Sequence, residues 1–375
     1  MYIHDSAELE KFCEYASQFK VIAVDTEFLR ETTYYPKLCL VQVAAGERIA
    51  AIDPIEIKDC SALVRLLEDS SITKVLHACG QDLEVIYVAL GCKMEPVFDT
   101  QIAAAFLGKR MQMGYGALVE AYRGIRLPKA ESLTDWSKRP LDPEQLRYAE
   151  DDVRYLVGIY EEMMQELVRR NRLSWLLPEL QAHADPRAFI RDPREAYIHL
   201  KRVQALTRTQ LAVAREVSAW REERAAARNI PRRWLLSDEL VIEICKRVPK
   251  TVEDVLKIRG TKGLGAQDAA SLLEAVSRGR ECPKSELPEL RRHARPSHEV
   301  ESVVDLLLSL LRIDAEKADV APQLIATKDE LVDFAQGKPS PLDSGWRYEI
   351  AGKDLSGLMR GELGLTVKDG KIEIL

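Results

Sequence analysis

A chain of 375 residues, 46% hydrophobic and 30% charged, is long enough for two or three packed domains and has the composition of a soluble globular protein. Its formal charge of −6 argues against a general affinity for polyanions, and nothing approaches the roughly 18 consecutive apolar residues of a membrane span. The seven cysteines (13, 39, 60, 79, 92, 245 and 282) show neither C-x-x-C nor zinc-type spacing, and Met1-Tyr-Ile-His-Asp-Ser-Ala-Glu8 carries no secretory pattern, so free thiols in a reducing cytoplasm are expected.

Up to about residue 180, apolar strand-like runs alternate with amphipathic helix-like ones, which predicts an α/β domain. Strand patterns cover Val21–Val24, Leu38–Ala44, Arg48–Ile52 and Lys74–His77. Helical patterns begin near Ala7, Cys60, Gln81, Gln101, Tyr115 and Pro143. Asp99 reads as the N-cap of the helix from Gln101, and Asp142 before Pro143, with Gln145 in the first turn, opens another. From about Pro193 the strand signal fades. Thr207-Arg-Thr-Gln210 is a capping box for a long helix with Leu211, Ala214, Val217 and Trp220 on one face, ending before Pro231. Ser237 and Thr251 are N-caps of further helices, and Gly260, Gly263 and Gly265 mark a turn. A proline-punctuated polar linker runs from Cys282 to Pro296. Beyond it come a buried helical stretch, Leu306–Leu311, and a second capping box, Thr327-Lys-Asp-Glu330. Asp369-Gly370, between Leu365–Lys368 and Lys371–Ile374, predicts a terminal β-hairpin. The domain division expected is 1–192, 193–280, a linker over 281–297, and 298–375.

Five side chains carry chemistry. Asp25 and Glu27 follow an apolar strand at i and i+2, so both point to one face. Asp82 opens a helix just after Lys74-Val-Leu-His-Ala78, and Tyr148 and Asp152 stand at i and i+4 on a later helix. Four carboxylates brought together without a basic partner repel unless cations hold them, and oxygen-only ligands suit Mg²⁺ or Mn²⁺. Two such ions make a centre for phosphodiester cleavage. An isolated Asp-x-Glu would be no more than the solvated end of a strand; the order of the three motifs is what distinguishes this chain.

In that order, and in the flanking Thr33-Tyr-Tyr-Pro-Lys-Leu-Cys-Leu-Val-Gln42, Val75-Leu-His-Ala78, Phe98-Asp-Thr-Gln-Ile-Ala103 and Ser132-Leu-Thr-Asp-Trp136-Ser-Lys-Arg-Pro-Leu141, the chain resembles the 3′–5′ exonucleases of the DEDD class, in the variant with a tyrosine in the last motif, and more narrowly the ribonuclease D family. No departure appears at the five positions. The resemblance implies a ribonuclease-H-like α/β exonuclease domain, a mixed sheet flanked by helices, followed by two small all-α HRDC-like modules, the second more diverged. It implies Asp25, Glu27, Asp82 and Asp152 as ligands of two Mg²⁺ or Mn²⁺ ions, Asp25 bridging, with Tyr148 orienting the attacking water. It also implies RNA with a free 3′ end as substrate, tRNA precursors foremost, and no obligatory protein partner.

Around this centre, Glu84, Glu150 and Asp151 point elsewhere by helical geometry. Trp136 and Arg139 suit a terminal nucleotide and its phosphate, or else Trp136 is a lid on the domain core. Phe28 wedges against the last base or merely packs; His77 touches substrate or is hydrogen-bonded core. Residues 197–280 hold 17 Lys+Arg against 10 Asp+Glu, so Arg215, Arg221, Arg224, Arg228 and Lys262 form either a grip on the RNA body or a solvated face. The rival functions are a DNA 3′–5′ exonuclease of the same chemistry and a non-catalytic RNA-binding scaffold.

Overall fold

The computed structural model describes residues 1–128, 134–190, 192–290 and 296–375. A six-stranded mixed sheet, ordered β1-β4-β3-β2-β5-β6, forms its first domain. Its strands are β1 (Tyr2–Ile3), β2 (Val21–Leu29), β3 (Lys37–Ala45), β4 (Arg48–Ile52), β5 (Thr73–Leu76) and β6 (Val97–Asp99). Strand β3 pairs antiparallel with β2 and β4; β5 runs parallel to β2 and β6. β2 continues past the expected Val24 because its register with β3 holds as far as Leu29↔Lys37, so Asp25 and Glu27 stand within a paired strand. Cys39 is an extra residue on β3, between the pairs Glu27↔Leu40 and Phe28↔Leu38. β1 and β6, of two and three residues, are too short for a period-two signal.

Helices cover both faces. Ile22, Val24, Val41 and Val43 form one buried layer with α1 (Ser6–Ala16), α2 (Ser61–Glu68) and α3 (Gly80–Leu90). Ala23, Ala44, Val75 and Phe98 form the other, with α4 (Thr100–Phe106), α5 (Tyr115–Arg123), α7 (Leu156–Arg169) and α8 (Leu173–Ala184), while α6 (Pro143–Arg154) packs on β2, β3 and β4. α6 starts where its capping signals place it, with the Asp142 and Gln145 box formed. Asp99 caps α4.

The first helical module comprises α9 (Arg208–Arg228), α10 (Arg232–Leu235), α11 (Asp238–Arg247), α12 (Val252–Lys257) and α13 (Ala266–Arg280), with Tyr197, Leu200, Val203 and Leu206 in its core. The Thr207 box and the Ser237 and Thr251 caps all form. α13 crosses α9 at Gly279, where a Cβ would lie 2.4 Å from the Val213 Cα, so no larger residue fits this crossing. In the linker, Leu290 packs on this core; 291–295 lie outside the described residues.

The second module comprises α14 (His298–Ala318), α15 (Pro322–Ile325), α16 (Lys328–Ala335), α17 (Gly345–Arg347) and α18 (Lys353–Arg360), closed by a hairpin of β7 (Leu365–Lys368) and β8 (Lys371–Ile374). Asp369 and Gly370 both adopt positive φ, as a type I′ turn requires. Its opening repeats that of the first. α9 and α14 are both 21 residues long and both end in a left-handed residue, Asn229 or Asp319. A four-residue helix and a hydroxyl-capped helix, from Ser237 or Thr327, then follow at matching intervals.

Both modules meet the first domain at that left-handed corner. Asn229 Oδ1 accepts from the Tyr34 and Tyr35 N–H groups at 3.1 and 3.0 Å, and the Tyr34 hydroxyl donates to Glu222. Asp319 pairs with Arg170, Arg172 donates to the carbonyls of Phe106, Ala318 and Asp319, and Trp346 stacks on Trp175 with centroids 5.5 Å apart. Among the described residues no helix is long and apolar enough to cross a membrane.

Candidate active site

The structure gathers the acidic residues as their spacing demands. Ligand oxygens of Asp25, Glu27 and Asp152 all lie within 4.8 Å of one another. Asp25 and Glu27 project from β2 toward α6, whose Tyr148 and Asp152 face back at them; the Tyr148 hydroxyl bonds the Asp152 carboxylate. Asp82 arrives from the opposite face of the sheet. It sits in the first turn of α3, and the Thr26 hydroxyl, between the two β2 acids, donates to its Oδ1.

Burial and crowding disfavour ionisation throughout. Asp25 is raised well above the ordinary carboxylate range, by burial first and then by Asp82, Asp152 and Glu27. Glu27 is pushed up to about 9 by burial and by the charges of Asp152 and Asp82. Burial takes Asp152 to about 7 against the opposing Tyr148 hydrogen bond, and Asp82 to about 6 against that of Thr26. Tyr148 is raised too, by burial and then by Asp152 and Glu27, so its phenol keeps its proton at neutral pH. Among the described residues no lysine or arginine pairs with any of the four carboxylates. This donor set, all oxygen, anionic and uncompensated, fits hard divalent cations.

The flanking acids behave as helical geometry dictates. Glu84 pairs with Arg30, and Glu150 and Asp151 pair with Arg154. Asp99 accepts from the N–H groups of Ala78, Cys79 and Gln101 at 2.7–3.0 Å. It thereby stabilises the turn with Ala78 at φ 57 from which α3, and hence Asp82, departs. Thr26 and this use of Asp99 have no sequence signal, because only the tertiary fold brings α3 to β2 and β6 to the Ala78 turn.

Of the four residues weighed for substrate contact, Trp136 and His77 take the core alternative and Arg139 is corrected. Trp136 is 3% exposed, in an apolar cluster with Cys39, Leu40, Ala51 and Ala149, and is a core residue. Arg139, partly exposed, forms a bidentate pair with the buried Asp53 and donates also to the carbonyls of Cys39, Trp136 and Lys138, so it has no donor left for a phosphate. The ring nitrogens of His77 lie 2.9 Å from Thr100 Oγ1 and Met113 O, and burial lowers its pKa, so it is a neutral tie between β5 and the segment before α5. Phe28 stays partly exposed beside Glu27, its ring 5.9 Å from the Arg30 guanidinium.

The arginine row on α9 is corrected as well. Arg221 is 2% exposed and bound to Asp238 and the Leu236 carbonyl. Arg224 and Arg228 converge on the buried Asp268, and Arg215 pairs with Glu216. Arg221 ties α9 to α11, Arg224 and Arg228 tie it to α13 with Arg228 still 40% exposed, and Arg215 pairs within α9. Lys262 is exposed. Exposed groups on this module that the sequence reading did not single out include Arg232, Arg233 and Trp234.

Comparison with known proteins agrees with this geometry. A 3′–5′ exonuclease family model matches residues 1–168, and an HRDC domain model matches 210–276. Ribonuclease D of Sphingobium indicum is 40% identical over 99% of this chain and 97% of its own length, and that of Zymomonas mobilis 39% over 99% and 96%. The crystal structure of Escherichia coli RNase D, described as an exoribonuclease involved in structured RNA processing, superposes with a TM-score of 0.82 at 32% identity, covering 96% of this chain and 98% of that one. With its carboxylate centre on a sheet of this order and full-length relatives at this identity, the chain belongs to the ribonuclease D family of 3′–5′ exoribonucleases.

Proposed function

We propose that Asp25, Glu27, Asp82 and Asp152 hold two divalent cations, Mg²⁺ or Mn²⁺, and that the enzyme removes 5′-mononucleotides from RNA 3′ ends, tRNA precursors among them. The observation that carries this reading is ligand oxygens of three carboxylates within 4.8 Å of one another and, among the described residues, no lysine or arginine paired with them. Bound cations would supply an acidified nucleophilic water and charge neutralisation for the leaving 3′ oxygen. The chain's own residues do the rest. Tyr148, protonated and donating its one hydrogen to Asp152, orients the attacking water through its hydroxyl oxygen, which accepts; it is no general base. Phe28 offers its partly exposed ring to the terminal base.

The RNA body meets the first helical module through Arg232, Arg233 and Trp234, the last 59% exposed. Asn229 brings that surface beside the loop after β2, where Tyr35 is 44% exposed, which supports a stacking path leading to the site. Residues 298–375 are a second HRDC-like module, supported by the repeated opening of α9 and α14, and the enzyme works in the cytoplasm. The test uses 3′-extended tRNA and a short oligonucleotide. Asp25→Asn should abolish stepwise 3′ shortening of both. Trp234→Ala with Arg233→Ala should weaken binding of the tRNA alone and flatten its salt dependence by about one phosphate contact. Activity retained in Asp25→Asn defeats the metal-centre assignment.

A further inference from the structure

Gln42 lies on β3 directly across from Asp25, and on its other side across from Ala51 of β4. Its residue surface is fully buried, yet among the described residues neither its amide nitrogen nor its amide oxygen has a hydrogen-bond partner. Directly opposed residues of an antiparallel pair share a face, so the Gln42 side chain projects on the Asp25 side of the sheet, beneath α6. The same face carries apolar layers before and after it: Leu40, Ala51 and Ala149 in one cluster, Ala23, Ala44 and Val153 in the other. A leucine or methionine would continue that layer without burying two unmet polar atoms, so a glutamine here needs a reason. Ala51 leaves the amide room to turn, and Asp25 is the charged group across the strand pair.

We propose that Gln42 is a positioning residue for the cation centre. Its Nε2 donates to the Asp25 carboxylate when cations draw the four acids together, fixing which oxygen lone pairs of Asp25 face the ions. The amide suits this task because it is neutral. A lysine or arginine at the same place would neutralise Asp25 and compete with the cations, and another carboxylate would add to the repulsion that already raises Asp25. The inference rests on the metal-centre reading above.

The test is Gln42→Met, close in volume and unable to hydrogen-bond, with Gln42→Asn, whose amide is one methylene shorter, as an intermediate. Three quantities are read on the full-length protein: the melting midpoint in EDTA, Mn²⁺ affinity by calorimetry, and kcat and KM on a short RNA at saturating Mg²⁺. The methionine variant should melt as high as the parent or a few degrees higher, because an unmet buried amide has gone. It should bind Mn²⁺ about 10-fold more weakly and lose about 10-fold in kcat with KM unchanged. In an Asp25→Asn background, Gln42→Met should change neither Mn²⁺ affinity nor residual turnover, since the partner is already lost. A melting point several degrees lower, with Mn²⁺ affinity intact, would make Gln42 a structural amide and overturn the proposal. Parental Mn²⁺ affinity and turnover would overturn it as well. If Asp25→Asn itself leaves Mn²⁺ binding intact, the metal-centre reading falls with it; if only Gln42→Met is silent, that reading stands and Gln42 alone is excluded.

Discussion

Asp152→Asn should inactivate the enzyme and at the same time stabilise it in the absence of divalent cations. Asp152 is raised from 3.8 to about 7, chiefly by burial, with Asp151 and Asp82 adding to the effect. A carboxyl group held about three pH units above its unfolded value costs the fold on the order of 4 kcal/mol once it is ionised. Relaxation and water entry around so crowded a group reduce this to about 1–2 kcal/mol, or about 3–8 °C in the melting point of a domain this size. The sign follows from proton counting. The folded state holds the proton more tightly, so the penalty is absent below about pH 4, grows as pH rises, and is complete above about pH 7. Asparagine keeps an acceptor for the Tyr148 hydroxyl and never ionises. The assay is thermal unfolding in EDTA at pH 4.5 and pH 8, parent against variant. The variant should melt higher at pH 8 and level with the parent at pH 4.5, and Mg²⁺ should raise the parent more than the variant. A variant that melts no higher at pH 8, or gains equally at both values, refutes the claim that charge crowding destabilises this site.

Tyr148→Phe should lower kcat about 100-fold with KM and Mn²⁺ binding little changed, as expected for a group that orients the nucleophile; loss of a cation on titration would show that it holds the site together instead. Thr26→Val removes the hydroxyl that donates to Asp82. It should weaken Mn²⁺ binding roughly 10-fold and reduce kcat with KM preserved, which calorimetry and steady-state kinetics will check. Arg139→Ala strands the fully buried Asp53 carboxylate and should cost about 3–5 kcal/mol of stability without raising KM. A raised KM in a protein of undiminished stability would restore Arg139 as a phosphate ligand.

The centre was legible in the sequence to the extent that local periodicity determines it. Asp25 and Glu27 share a face because strands alternate, Tyr148 and Asp152 because four residues close a helical turn, and Asp142-Pro143 marks where that helix begins. The terminal hairpin was legible for the same reason, since Asp-Gly between alternating strands accepts two consecutive positive φ angles. What failed depended on partners distant in sequence. Arg139 looked like a phosphate ligand until Asp53, on the far side of β4, took its whole fork. Trp136 in a loop looked available for stacking, and the fold closes α6 over it. His77 has a partner on each ring nitrogen only because α4 and the Met113 segment both approach the end of β5. The α9 arginines failed by the same rule, for a net count of +7 over residues 197–280 cannot show that the buried Asp268 and the partly exposed Asp238 pair with them.

The two corners at Asn229 and Asp319 are equivalent in backbone and unequal in strength. At Asp319 the second module joins the first domain through a buried guanidinium that spans three carbonyls and through Trp346, which stacks on Trp175 and meets Phe106 edge-on. Apolar area and desolvated charge-assisted bonds act there together, so that module is a fixed part of the nuclease body. At Asn229 the contact rests on one side-chain oxygen accepting two backbone N–H groups, together with the Tyr34–Glu222 hydrogen bond. The two bonds to Asn229 are neutral and exposed and contribute about 1 kcal/mol each, whereas the Tyr34 bond meets the buried Glu222 carboxylate. The module that carries Trp234, Arg232 and Arg233 is therefore tied to the nuclease without the stacked aromatics and buried guanidinium that hold the second. Its tie to the loop after β2 places the exposed Trp234 edge of the module beside the strand that bears Asp25 and Glu27.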